Sequence, residues 1–104
     1  MKVIAHAPSS WFLVRDGDSL LLDVACGTVG AFSLLIRLGD SEIDGLNGQG
    51  LPSVDVLATT IRNNPRAFSQ RHERGLEAAV TAAIIQWKND GVAVQQFIQA
   101  DRRV

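Results

Sequence analysis

Nucleophilic catalysis by a thiol needs a base to draw off its proton and a third group to orient that base. One such set can be assembled from this chain: Cys26, His72 and Asp23. Cys26-Gly27-Thr28 stands where an apolar run gives way to a glycine turn, which leaves the sulfur sterically open. The histidines are His6 and His72, and His72 is the one to pair with Cys26. Each member of the set also has a plainer role. Cys26 suits a small buried hydrophobe. His72 falls on the apolar arc of a predicted helix, where a hydrogen-bonded core or interface imidazole is ordinary. Asp23 lies between Leu22 and Val24 and needs a partner if it is buried; Arg37 is the base placed to supply one. A non-catalytic protein is therefore expected, with a small enzyme around Cys26, His72 and Asp23 as the alternative.

Other chemistry is excluded on spacing. Asp40-Ser41-Glu42-Ile43-Asp44-Gly45 begins like a calcium loop, with acids at positions 1, 3 and 5 and glycine at 6. Leu51 then stands where the bidentate glutamate should be, and the flanking segment reads as a strand. A capped, acidic first helical turn explains the same residues through the helix dipole. Asp16-Gly17-Asp18 is accounted for by a turn. No glycine-rich phosphate loop, H-E-x-x-H or G-x-S-x-G is present, and a single cysteine excludes an intramolecular disulfide or a thiolate-built zinc site. Neither a metal nor a cofactor is expected.

Charge sorts along the 104 residues although the net charge is only -1. Residues 16–55 hold seven acids against Arg37, and residues 56–104 hold seven bases against four acids. The two halves could meet within the fold or across a self-association surface, or stay as separate solvated faces. Arg62, Arg66, Arg71, Arg74 and the Arg102-Arg103 tail are the one candidate anion-binding collection. Tyrosine is absent, and Trp11, Phe12, Phe32 and Trp87 sit at core-periodic positions, so nucleic acid is not an expected partner. The start of the chain lacks a signal-peptide apolar region, and the longest apolar runs are strand-sized. A cytoplasmic protein without a membrane partner is expected.

Residues 1–104 are expected to form one α+β domain. Its core is a three- to four-stranded antiparallel β-meander packed by two to three C-terminal helices. Trp11–Val14 and Leu20–Cys26 flank an Asp-Gly hairpin signal, in a register that sets Leu13 against Leu20 and Trp11 against Leu22. A third strand covers Ala31–Leu38, and Lys2–Ala7 could add a fourth. Pro52-Ser53 opens a helix to about Asn63 with Val54, Leu57, Ala58 and Ile61 on one face. The longest helix is expected from about Ser69 to Lys88, with His72, Leu76, Ala79, Val80, Ala83, Ile84 and Trp87 on one arc. Residues 92–98 read as a short helix or, alternatively, a strand.

The hairpin strands are apolar on both sides: Phe12, Val14 and Leu21 oppose Trp11, Leu13, Leu20 and Leu22. With helices expected on one face, the other needs a cover from the C-terminal segment or from a second subunit. This points to a protein-binding module of immunity, adaptor or regulatory type that acts through a protein partner or as a homodimer. Trp11, Leu13, Val56 and Ile85 are its contact candidates; the last two break the polar pattern on helix exteriors.

Overall fold

The computed structural model describes residues 1–8, 10–26 and 32–90. Four strands, β1 (Lys2–Ala7), β2 (Trp11–Asp16), β3 (Ser19–Cys26) and β4 (Phe32–Arg37), form an antiparallel sheet in the order β1-β2-β3-β4. Helices α1 (Asp40–Gln49), α2 (Leu51–Asn63), α3 (Pro65–Phe68) and α4 (Glu77–Asn89) follow. This is the expected α+β meander. The readings of residues 27–30 as a turn, 92–98 as helix or strand, and Arg102-Arg103 as a basic tail lie outside the described residues.

The β2–β3 hairpin forms two residues out of the expected register. Asp16 pairs with Ser19, so Gly17-Asp18 is the turn, and Leu13 faces Leu22 while Trp11 faces Val24. Gly17 adopts φ +60°, a left-handed conformation that glycine reaches without a Cβ clash. Side chains alternate with a period of two, so a slide of two residues changes every partner and no face. Strand β1 is corrected by a bulge: Val3 pairs with Val14 and Ala5 with Leu13, leaving Ile4 over. Val3 and Ala5 consequently face opposite cores, which residues two apart in a regular strand cannot do. A bulge also blunts the exposed edge of β1.

Both sheet faces are sheltered by helices of the same chain. On the first face, Trp11, Leu13, Leu22, Val24, Cys26 and Ile36 pack under Val54, Ala58 and Ile61 of α2. On the second, Val3, Val14, Leu21 and Leu35 pack under Val80 and Ala83 of α4, with Phe12, Leu76, Ile84 and Trp87 at the margin. The expectation of helices on one face is thereby corrected, and of the two covers expected for the other face, the C-terminal segment or a second subunit, neither is needed where α4 already lies. The cause lies in the connection between α2 and α4, which carries the chain around the β4 edge.

That connection replaces the first part of the long helix expected from Ser69. A 3-10 turn, Ser69–Arg71, is followed by extended backbone at His72 (φ -61°, ψ 126°) and by Gly75 at φ +92°. His72 bridges Ile36 of β4, and the Glu73 N–H donates to the Leu35 carbonyl at 2.8 Å. The α4 residues Val80, Ala83, Ile84 and Trp87 keep the face expected of them, whereas Ala79 is exposed and His72 is not on the helix.

Helix α1 forms despite Gly45 and Gly48 because its ends are well defined. Glu42 Oε1 accepts the Gly39 N–H at 2.7 Å, and Asp40 and Glu42 oppose the helix dipole in the first turn. The three acids of the calcium-like motif are thus helix residues. Gly45 brings α1 against Ser53 of α2, and Gly50, at φ 75° and ψ -157°, makes the corner between them in a region only glycine occupies readily.

Candidate functional site

The sheet separates the proposed nucleophile from its proposed partners. Cys26 is fully buried on the first face, where its thiol donates to the Val24 carbonyl at 3.5 Å and burial pushes the thiol up. Little thiolate is available from such a group. Asp23, an odd number of positions away on β3, belongs to the second face, in register with Phe12 and Leu35. His72 sits at the outer edge of β4, where its Nδ1 accepts the Leu35 N–H at 3.0 Å and its Nε2 lies 3.6 Å from Glu77 Oε2. Asp23 feels the charge of His72, and the Cys26 thiol feels that of Asp23, but the thiol bonds to the Val24 carbonyl and to neither of them.

Asp23 does not pair with Arg37. In the β3–β4 ladder Arg37 stands opposite Leu21, two positions from Leu35, and its guanidinium reaches outward to Glu73 at 3.3 Å. Burial therefore pushes the Asp23 carboxyl above its ordinary 3.8, while the charge of His72 pulls it part of the way back. A carboxyl raised in the folded state keeps its proton to higher pH than it does unfolded. Its favourable contribution is complete at low pH and is lost as pH rises through the folded value. Asp23→Asn, with no charge to desolvate, is expected to melt above the wild type at pH 7, the gap closing as pH falls toward 3.8. Thermal denaturation of both proteins across that range checks this; parallel curves would mean the carboxylate is well hydrated.

The arginines form no common anion site among the described residues. Arg62 is bound to backbone and hydroxyl oxygen, donating Nε–H to the Ala25 carbonyl at 3.0 Å and bonding to Ser10. Arg71 clasps Glu42 at 2.6 and 3.0 Å and donates to the Arg37 carbonyl at 2.9 Å. This clasp and the Gly39 N–H hold the Glu42 carboxyl below its usual range. The acidic front and the basic back of the chain do meet here, within the fold. Among the described residues no group of three or more His, Cys, Asp or Glu could hold a metal ion, and no helix is long and apolar enough to cross a membrane.

The four contact candidates divide into two buried and two exposed. Trp11 and Leu13 are 2% and 1% exposed beneath α2, and the Trp11 Nε1–H donates to Asp55 Oδ1 at 2.7 Å. Their size serves the core. Val56 and Ile85 are 67% and 55% exposed, on α2 and α4 respectively. Those helices cover opposite faces of the sheet, so the two side chains belong to different surfaces.

Val56 stands at a shallow groove between α1 and α2 whose lining includes Leu38, Glu42, Gly45, Val54 and Leu57. Sequence periodicity marks Val56 as outward-facing, but the groove itself follows from the close α1–α2 approach at Gly45 and is not a periodic signal. A second unexpected grouping is aromatic: Trp87 meets the rings of His6 and Phe12 edge-on at centroid distances of 4.5 and 5.3 Å. Burial there lowers the His6 pKa, and its Nδ1 has no hydrogen-bond partner among the described residues.

Comparison of the chain with protein-family models, with curated proteins and with solved structures finds no match.

Proposed function

We propose that this chain is a cytoplasmic, non-catalytic protein that acts by binding another protein through the α1–α2 groove. The observation that carries the proposal is Val56, an aliphatic side chain two-thirds exposed beside an apolar groove. An exposed aliphatic next to other apolar surface is where a partner side chain gains most from leaving water. Charge specifies the partner further. Of the acids between Leu38 and Ile61, Glu42 is paired with Arg71 and Asp55 accepts the Trp11 N–H, which leaves the exposed Asp40 and Asp44 of α1 without a basic partner among the described residues. The complementary ligand is an apolar segment flanked by basic residues, which would be drawn to the groove and seated there. The catalytic alternative has less support, because Cys26 lies across the sheet from Asp23 and His72.

The test is an NMR titration of the full chain with a model amphipathic Leu/Arg helical peptide. Shift changes are expected to concentrate on α1 and α2, and Val56→Asp to weaken binding by about tenfold or more. Absence of binding, or equal binding by Val56→Asp, overturns the proposal. So does a homodimer in sedimentation that Val56→Asp dissolves, since the groove would then hold a second copy.

A further inference from the structure

We propose that His72 is a proton-operated latch on the outer edge of β4: the neutral imidazole holds the Leu35 amide, and the imidazolium releases it. An edge strand presents unpaired N–H and C=O groups that can template pairing with another chain. At Leu35 this edge is closed by two bonds from one short segment. His72 Nδ1 accepts the Leu35 N–H at 3.0 Å, and the Glu73 N–H donates to the Leu35 carbonyl at 2.8 Å.

The first of these bonds depends on protonation state. A neutral imidazole offers one acceptor nitrogen, and here it is Nδ1. An imidazolium has N–H on both nitrogens and no acceptor, so no flip of the ring can restore the bond. The charged ring also has other partners to turn to. Glu77 of α4 places Oε2 3.6 Å from Nε2, and Asp23 of β3 lies near enough for its carboxyl to feel the His72 charge. Of the other charges on this edge and segment, Arg37 of β4 is paired with Glu73 and Arg71 with Glu42, while Arg74, two residues from His72, is exposed. His72 lies between a 3-10 turn and Gly75, outside any helix. It can therefore shift toward the carboxylates without unwinding α4. Release leaves the Leu35 N–H without its acceptor and opens that position of the edge to water or to a strand from another molecule.

The test is ¹⁵N NMR of the full chain from about pH 8 to about pH 5, a range that spans ordinary histidine titration. The ring nitrogen shifts of His72 report its protonation, and amide exchange at Leu35, corrected for the intrinsic pH dependence, reports the latch. Protection of Leu35 is expected to fall by about tenfold as the ring protonates, the scale of one lost hydrogen bond. His72→Gln keeps a side-chain acceptor that does not titrate, so its Leu35 amide should stay protected throughout. That variant retains His6, which separates the two imidazoles. Leu35 protection that is unchanged through the wild-type ring titration, or that falls equally in His72→Gln, overturns the proposal. Should His72→Gln fail to fold, His72→Asn, which also keeps a side-chain acceptor that does not titrate, replaces it on the same readout and with the same overturning outcome.

Discussion

Trp11→Ala is expected to destabilise the protein by about 3–5 kcal/mol, read from denaturant midpoints at constant m. Trp11 is 2% exposed on the first face and belongs to the same packed cluster as Ala58 and Ile61 of α2. Truncation removes the largest ring from that layer and leaves a cavity that only partial collapse can fill. A loss of this size is a large part of the roughly 5–15 kcal/mol that stabilises an ordinary domain. The Trp11 Nε1–H bond to Asp55 Oδ1 allows the loss to be divided. Asp55→Asn keeps an acceptor and should be close to neutral. Asp55→Ala removes the acceptor of this part-buried bond and should cost about 0.5–1.5 kcal/mol. The reverse loss is cheaper, because Asp55 is exposed and its carboxylate rehydrates. A Trp11→Ala cost below about 1 kcal/mol, the level of surface substitutions, would mean that α2 does not cover this face.

How far the fold could be read from the chain depends on the range of the interaction concerned. Alternation in β2 and β3 is a nearest-neighbour property, and it assigns Trp11, Leu13 and Leu22 to one face and Phe12, Val14 and Leu21 to the other, as observed. The hairpin register is less local. Asp16-Gly17 and Gly17-Asp18 are both acceptable two-residue turns, so the local turn signal leaves two registers open. Gly45 and Gly48 lower the local helix propensity of α1, which is offset by the Glu42 bonds to Gly39 and to Arg71, 29 residues away. His72 shows the limit most clearly. Its spacing from Leu76, Val80 and Ala83 fits a helical arc, yet it lies in extended backbone because Leu35 and Ile36 of β4 offer an unpaired edge. Nothing within residues 69–76 encodes that edge. The candidate site divides the same way. The outward position of Val56 is periodic and legible, whereas the groove beside it needs α1 and α2 in contact, and the separation of Cys26 from His72 needs the path around β4.

That path leads to the second large effect. Leu21→Ala and Leu22→Ala should each cost about 2–5 kcal/mol, although the two residues are adjacent and point in opposite directions. Both are fully buried, Leu21 in the cluster capped by Val80 and Ala83 of α4, Leu22 in the cluster capped by Val54, Ala58 and Ile61 of α2. In a sheet covered on one side only, one of these truncations would fall near the surface level of about 0.5 kcal/mol. Because the two side chains share no packing partner across the sheet, their effects should also add to within about 0.5 kcal/mol, tested with the milder pair Leu21→Val and Leu22→Val so that the double variant stays folded. A large Leu22→Ala cost beside a negligible one for Leu21→Ala would place α4 away from the second face. The bare face would then be available to another subunit, and His72 would lose the Glu77 carboxylate that α4 brings to it.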